Sequence, residues 1–266
     1  MTSAVANDVR EMVTEQIQYR GLLYEMTKRD LLLRYKQTVM GFGWAVFMPL
    51  INTAVFSVIF TRVAPIDAGI PYPLFAYSGL LVWNFFAAAL RFSVSSLTSN
   101  GGLVTKVYFP REIFPFSAII VCAVDSIVAS LVLVGIMIYY HVAPSWTIAF
   151  LPLVVAAHVA LTAGLALLLA MANLYFRDVK YLFEAIITVG MFATSVLYPT
   201  SLVTGKLGLL VRANPMTPII DAYRGVLLQH TLPSGSFYVA AAGSVVLLAI
   251  AWLSFHRAEF EFAENI

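Results

Sequence analysis

Six apolar runs set the terms for this chain, at residues 41–61, 73–92, 114–140, 146–175, 181–199 and 237–256. Each is near the ~20 residues that an α-helix needs to cross about 30 Å of hydrocarbon. A backbone N–H or C=O left unpaired in lipid is costly, so only helices and closed barrels span a bilayer. These runs are too long, and alternate too little, to be barrel strands. The expected fold is therefore all-α, a polytopic membrane protein with six transmembrane helices. Composition agrees, because only 11% of residues are charged, against about 25% in an average soluble domain. No internal repeat interrupts the pattern. The chain reads as one domain, with residues 1–36 as an N-terminal extension and 37–266 as the membrane part.

Lys and Arg orient the spans. Twelve of the sixteen fall in the N-terminus, the second and fourth connections and the tail, and four (Arg62, Lys206, Arg212, Arg224) fall on the other side. The positive-inside rule then places both termini in the cytoplasm. Residues 7–36 read as a helix ahead of the first span. Met12, Tyr19, Leu22, Leu23, Met26 and Leu33 share an arc of about 100°, which Glu15 and Asp30 spoil. Such a basic, moderately amphipathic helix is expected to lie in the membrane interface. The segment 201–235 is too polar to be a span and reads as two short helices, broken at "ANPMTP", that dip into the outer leaflet and return.

The motifs of enzymes are missing. The only Gly-Lys pair, Gly205-Lys206, has no glycine five residues before it, so no phosphate-binding G-x-x-x-x-G-K-[ST] loop exists. His141, His158, His230 and His256 are scattered without metal-ligand spacing, and the single Cys122 has no partner. No catalytic residue, metal or cofactor is expected in this chain.

Polar groups inside the spans are costly and call for partners. Asp125 and His158 sit at unequal helical depth, roughly 15 Å and 25 Å from the basic ends of their runs, which argues against a direct pair. Asn52 and Asn84 are closer to the level of Asp125, so these three can form one polar layer. Phe85, Phe86 and Phe192 lie deep enough to offer flat faces to a passing sugar ring if they border a conduit. Glu184, near a helix end, is expected to be solvated or paired with a basic neighbour.

The stretch "KVYFPREIFP" (106–115) separates two apolar runs with prolines, aromatics and charges. Pro110 suits a first helical turn and Pro115 opens the next span. The same chemistry returns in "YFRDVK" (175–180). Both can be tight turns with snorkelling charges, or compact elements that dock on another protein.

Four segments favour docking: "KRDLLLRYKQTVMGFGWAVFMPL" (28–50), "KVYFPREIFPFSAIIVCAVD" (106–125), "ANLYFRDVKYLFEAIITVGMFATSVLYP" (172–199) and "ANPMTPIIDAYRGVLL" (213–228). In order and spacing they resemble the ABC-2 type permeases that export polysaccharides, particularly the O-antigen and teichoic acid exporters. That resemblance implies a homodimer with two copies of a separate P-loop ATPase, which binds the ATP and Mg. Lys106, Tyr108, Phe109, Pro110, Arg111 and Glu112 would couple to the ATPase, helped by Arg177 and Asp178. Arg29, Asp30, Arg34 and Tyr35 would belong to the interfacial helix. Asn214, Pro215, Met216, Asp221, Tyr223 and Arg224 would form a periplasmic gate. Asn52, Asn84, Phe85, Phe86, Asp125 and Phe192 would line the channel. The substrate would be a polysaccharide on undecaprenyl diphosphate, moved through the bacterial inner membrane with no nucleic acid involved. Teichoic acid, drug or lipid export, a polytopic membrane transferase and a structural scaffold are the competing readings.

Overall fold

In the computed structural model, which describes residues 2–36, 38–41, 43–104, 109–259 and 262, every regular element is a helix. Two helices precede the apolar runs, α1 (Thr2–Gln18) and α2 (Arg20–Tyr35). Next come α3 (Gly43–Val58), which continues into a π-helical turn at Ile59–Val63, and α4 (Tyr72–Val94). Two single turns, α5 (Ser96–Ser99) and α6 (Gly101–Val104), lead towards α7 (Ile113–Tyr139). A 3-10 turn at Trp146–Phe150 opens α8 (Leu151–Tyr175), and α9 (Val179–Phe192) follows. The chain ends with α10 (Gly205–Ala213), α11 (Met216–Arg224) and its π-helical continuation Gly225–Gln229, and α12 (Gly235–Ala258).

Five helical segments among the described residues are long and apolar enough to cross a membrane: α3 with its π-helical turn, α4, α7, α8 with its opening 3-10 turn, and α12. The run at 181–199 folds differently from the six-helix expectation. Only 12 of its residues, 181–192, are helical, within the 14-residue α9 of about 21 Å. Residues 193–199 form turns instead. They can leave the helix because other elements satisfy their carbonyls: Arg224 donates to Ser195 O and Val196 O, and the Tyr72 hydroxyl to Leu197 O at 2.9 Å. Pro199 then leads into a 3-10 turn at Thr200–Leu202, with Leu202 N donating to Pro199 O at 3.1 Å.

α4 and α8 form the buried centre, while α3 and α12 leave most of their surface exposed. α4 packs along α7, where the Tyr77 hydroxyl donates to Ala129 O at 2.8 Å. α8 packs along α12 through Gly164, where an added Cβ would lie 3.0 Å from Leu248 N. Small residues allow such close backbone approach between membrane helices.

The N-terminal helices use their apolar arc against protein. Met12 is buried, and Tyr19, Leu22, Leu23 and Met26 pack on a cluster that includes Leu97, Phe114, Phe255 and Phe262. Leu33 departs from the arc and is exposed. The spoiler Asp30 has an internal use, since its Oδ2 accepts from the Ser117 hydroxyl of α7 at 3.1 Å. The break in 201–235 falls as expected between α10 and α11, where Asn214 Oδ1 accepts from Met216 N at 3.0 Å.

Candidate functional site

Asp125 needs a partner because a lone carboxylate in an apolar helix is poorly solvated. The last turn of α2 supplies it. Arg34 Nη1 stands 2.6 Å from Asp125 Oδ2, and the Tyr35 hydroxyl donates to Asp125 Oδ1. Burial first, and the bond to Asp125 second, push the Tyr35 phenol well above its ordinary range, so it stays protonated as a donor. The Arg34 guanidinium also lies 4.3 Å over the Phe92 ring.

This cluster forms one wall of a half-open cleft of about 360 Å³ between the end of α2 and α3, α4 and α7. Asn52, Asn84, Phe85 and Asp125 all line it, so the expected polar layer exists as one surface. It combines amides, an ion pair and the exposed ring of Trp44, groups that hydrogen-bond hydroxyls and stack on sugar rings; Phe85 borders it but is itself buried. The other two expected lining residues lie elsewhere. Phe86 is buried in the core against Trp83 and His158, and Phe192 is exposed on the outer face of α9. His158 is 3.4 Å from the Tyr223 hydroxyl, in keeping with the depth mismatch from Asp125.

At the basic end of the bundle, residues 109–112 turn inwards. Phe109 is buried against Phe114, with ring centroids 5.5 Å apart, and Glu112 is 1% exposed. Glu112 Oε1 accepts from the Trp252 indole at 3.3 Å, and Arg111 donates its guanidinium to the Glu259 main-chain carbonyl. These residues therefore root the loop in their own chain. Lys106 and Tyr108 lie outside the described residues. Phe176, Arg177, Asp178 and Lys180 are exposed. Arg177 and Lys180 border a pocket of about 390 Å³ with Ser95, Thr98, Ser99 and Asn173. Nearby, Arg29 holds Asp30 Oδ1 through two nitrogens at 2.9 and 2.8 Å and reaches Asn100 Oδ1 at 3.0 Å. Glu184 has the basic partner expected, Arg91, at 3.0 Å.

At the opposite end, α11 brings the remaining expected residues together. Arg224 is 2% exposed, lies 3.5 Å over the Phe75 ring and donates to the carbonyls of Ser195, Val196 and Phe75. Asp221 accepts from the Ser195 hydroxyl at 2.9 Å, and Asn214 Nδ2 donates to Thr194 Oγ1 at 2.9 Å. Met216 is buried below the Asn214–Pro215 break. The sequence reading missed Arg34 and Tyr35 as cleft walls, although Asp125 was the signal: a carboxylate within an apolar helix calls for a cation. It also missed Ser195 and Val196 as the ligands of Arg224, because a broken helix leaves no periodic mark.

A family model described as ABC-2 type transporter matches residues 21–228. The chain is similar to the O-antigen export system permease protein RfbA of Myxococcus xanthus, with 32% identity over 96% of this chain and 99% of that protein. It is also similar to an O-antigen export system permease protein RfbA of Klebsiella pneumoniae, 26% identical over 91% of this chain and 94% of the relative. A second Klebsiella pneumoniae protein of that name matches at 26% identity, with the same coverage. On the residue order, the helical architecture and these matches, the chain belongs to the ABC-2 type transporter family.

Proposed function

We propose that this chain is the transmembrane subunit of an ATP-driven exporter that moves lipid-linked O-antigen polysaccharide out of the cytoplasm. The observation that carries this reading is the end-to-end similarity to an O-antigen export permease, across 96% of this chain and 99% of the relative. The chemistry agrees: the sequence holds no phosphate-binding loop to hydrolyse ATP, and the cleft offers amides and an aromatic face for sugar. ATP and Mg belong, on this reading, to a separate P-loop subunit present in two copies.

The exporter is a homodimer in this proposal. The helices of one chain fill their own centre with side chains, and the cleft beside α3 is open on one side. A second copy would close that opening into a conduit. The basic end faces the cytoplasm of a bacterium, with both termini there and the protein in the inner membrane. α1 and α2 form the interfacial segment, with Arg29, Asp30, Arg34 and Tyr35 fixing its last turns to the bundle. α9 with residues 193–199 makes the sixth crossing. α10 and α11 re-enter the outer leaflet, and Asn214, Pro215, Met216, Asp221, Tyr223 and Arg224 frame the exit.

Coupling to the ATPase falls to the exposed turn at Arg177 and Asp178 together with residues 106–108, and residues 109–112 serve as the buried root that carries the push into α7. The test is co-purification through an affinity tag on this chain, with an ATPase assay on the eluate. A stoichiometric P-loop ATPase is expected, and Arg177→Glu with Lys180→Glu should remove it while leaving the melting temperature unchanged, since exposed substitutions shift stability by about 0.5 kcal/mol or less. A chain that purifies alone from native membranes, with no nucleotide-dependent behaviour, would sink the proposal.

A further inference from the structure

Four titratable groups from separate parts of the sequence meet where α1, the turn at 110–112 and the end of α12 come together. One nitrogen of His256 and one carboxylate oxygen from each of Glu15 and Glu259 all lie within 4.8 Å of one another. Glu112 borders the same space, its Oε1 3.4 Å from His256 Nδ1, at ion-pair distance but without hydrogen-bond alignment. His256 is 6% exposed, Glu259 2% and Glu112 1%. Glu15 Oε2 and Glu112 Oε2 are buried without any hydrogen-bond partner.

We propose that Glu15, His256 and Glu259, with Glu112 beside them, form a binding site for a divalent transition-metal ion of the Zn2+ kind. Three carboxylates and an imidazole in so little space carry more negative charge than positive. The nearby Arg111 donates its guanidinium to the Glu259 main-chain carbonyl, and its backbone N–H reaches Glu259 Oε2 at 3.3 Å. Buried oxygens without donors are costly to leave unpaired, and a cation satisfies several at once. A donor set of one imidazole and several carboxylate oxygens suits Zn2+ better than Mg2+ or Ca2+, which prefer oxygen alone. Bound there, the ion would clamp α1 and α12 onto the root of the 106–112 loop. The ligands are far apart in sequence, which is why no histidine spacing announces the site.

The experiment uses the full chain, purified in detergent through a tag free of histidine, stripped with a chelator and then titrated with Zn2+ alone. Bound metal is counted by mass spectrometry after buffer exchange, and thermal unfolding is followed in parallel with Mg2+ as the comparison ion. The expected result is about one Zn2+ per chain and a Zn2+-dependent rise in melting temperature. Glu15→Gln and His256→Gln should each weaken binding by at least about tenfold. Zn2+ far below one per chain, or full Zn2+ retained by both variants, overturns the site. If a variant does not fold, the wild-type titration still decides, because a melting temperature indifferent to Zn2+ rules the site out.

Discussion

Arg224→Met tests whether a buried guanidinium holds open the break between α9 and α11. Arg224 donates to the carbonyls of Ser195, Val196 and Phe75, at 2.6 Å for Val196 and 3.1 Å for Phe75, while stacked on the Phe75 ring. Methionine keeps the apolar stem and removes every donor. A buried acceptor left unsatisfied costs about 1–3 kcal/mol, so three carbonyls set a gross loss of roughly 3–9 kcal/mol. Part of that is returned, because the guanidinium no longer has to be held away from water. Removing one partner from a buried charged arrangement usually leaves a net loss of about 3–5 kcal/mol, which is the figure expected here. For a chain of this size that is a fall in melting temperature of about 10 °C.

Gly79 provides the control. An added Cβ there would collide with Arg224 Nη2 and sit 2.5 Å from Val196 O, so Gly79→Ala disturbs the same contacts from the side of α4. The double variant should lose less than the sum of the two single losses, as happens when both act on one network. Thermal unfolding of the detergent-purified chain, followed by tryptophan fluorescence, measures all four proteins. Arg224→Met melting with the wild type, or strict additivity with Gly79→Ala, would refute the capping argument. An Arg224→Met protein of normal stability but altered export would instead assign the residue to the exit path itself.

Two further substitutions test other contacts. Asp125→Asn removes the charge that Arg34 and Tyr35 share, and hydrogen exchange in the last turn of α2 should rise about tenfold, equivalent to roughly 1.4 kcal/mol for a pair that is only partly buried; unchanged protection would mean that α2 is held by its apolar contacts alone. Gly164→Val drives a branched side chain into Leu247 and Leu248 at a contact of 3.0–3.1 Å. The packing of α8 on α12 should then loosen by about 1–3 kcal/mol, read as a lower melting temperature.

The helical class, the apolar segments and the broken pair α10 and α11 were legible because length and hydrophobicity alone decide them. What escaped were tertiary substitutions for helical hydrogen bonds. In residues 193–199, donors from Tyr72 and Arg224 replace the helix's own N–H groups, and a run that reads as a span becomes a short helix with a turn. The polar layer was legible from depth counting, since Asn52, Asn84 and Asp125 are fixed by the helical rise. Its cation was not, because Arg34 sits on a helix whose pattern reads as interfacial. Residues 109–112 show the same limit: proline, aromatic and charge describe a compact turn, but only the fold decides that Phe109 and Glu112 face inwards while Phe176 and Arg177 face out.

Packing divides the molecule into a stiff part and a loose part, and the division matters for any motion begun at the basic end. α2 is fixed to α7 at two levels, through Asp30 to Ser117 and through Arg34 to Asp125, and the start of α7 is fixed to α12 through Glu112 and Trp252. Close-packed interiors transmit displacement because they cannot be compressed. A displacement of residues 109–112 would therefore be shared by α2, α7 and α12 and would reach the cleft through Asp125. α3 has little buried surface, and the Arg91–Glu184 pair that joins α4 to α9 is half exposed, a kind worth about 1 kcal/mol or less. Within one chain α3 is the least buried wall of the cleft, so a displacement of the stiff part would open the cleft there.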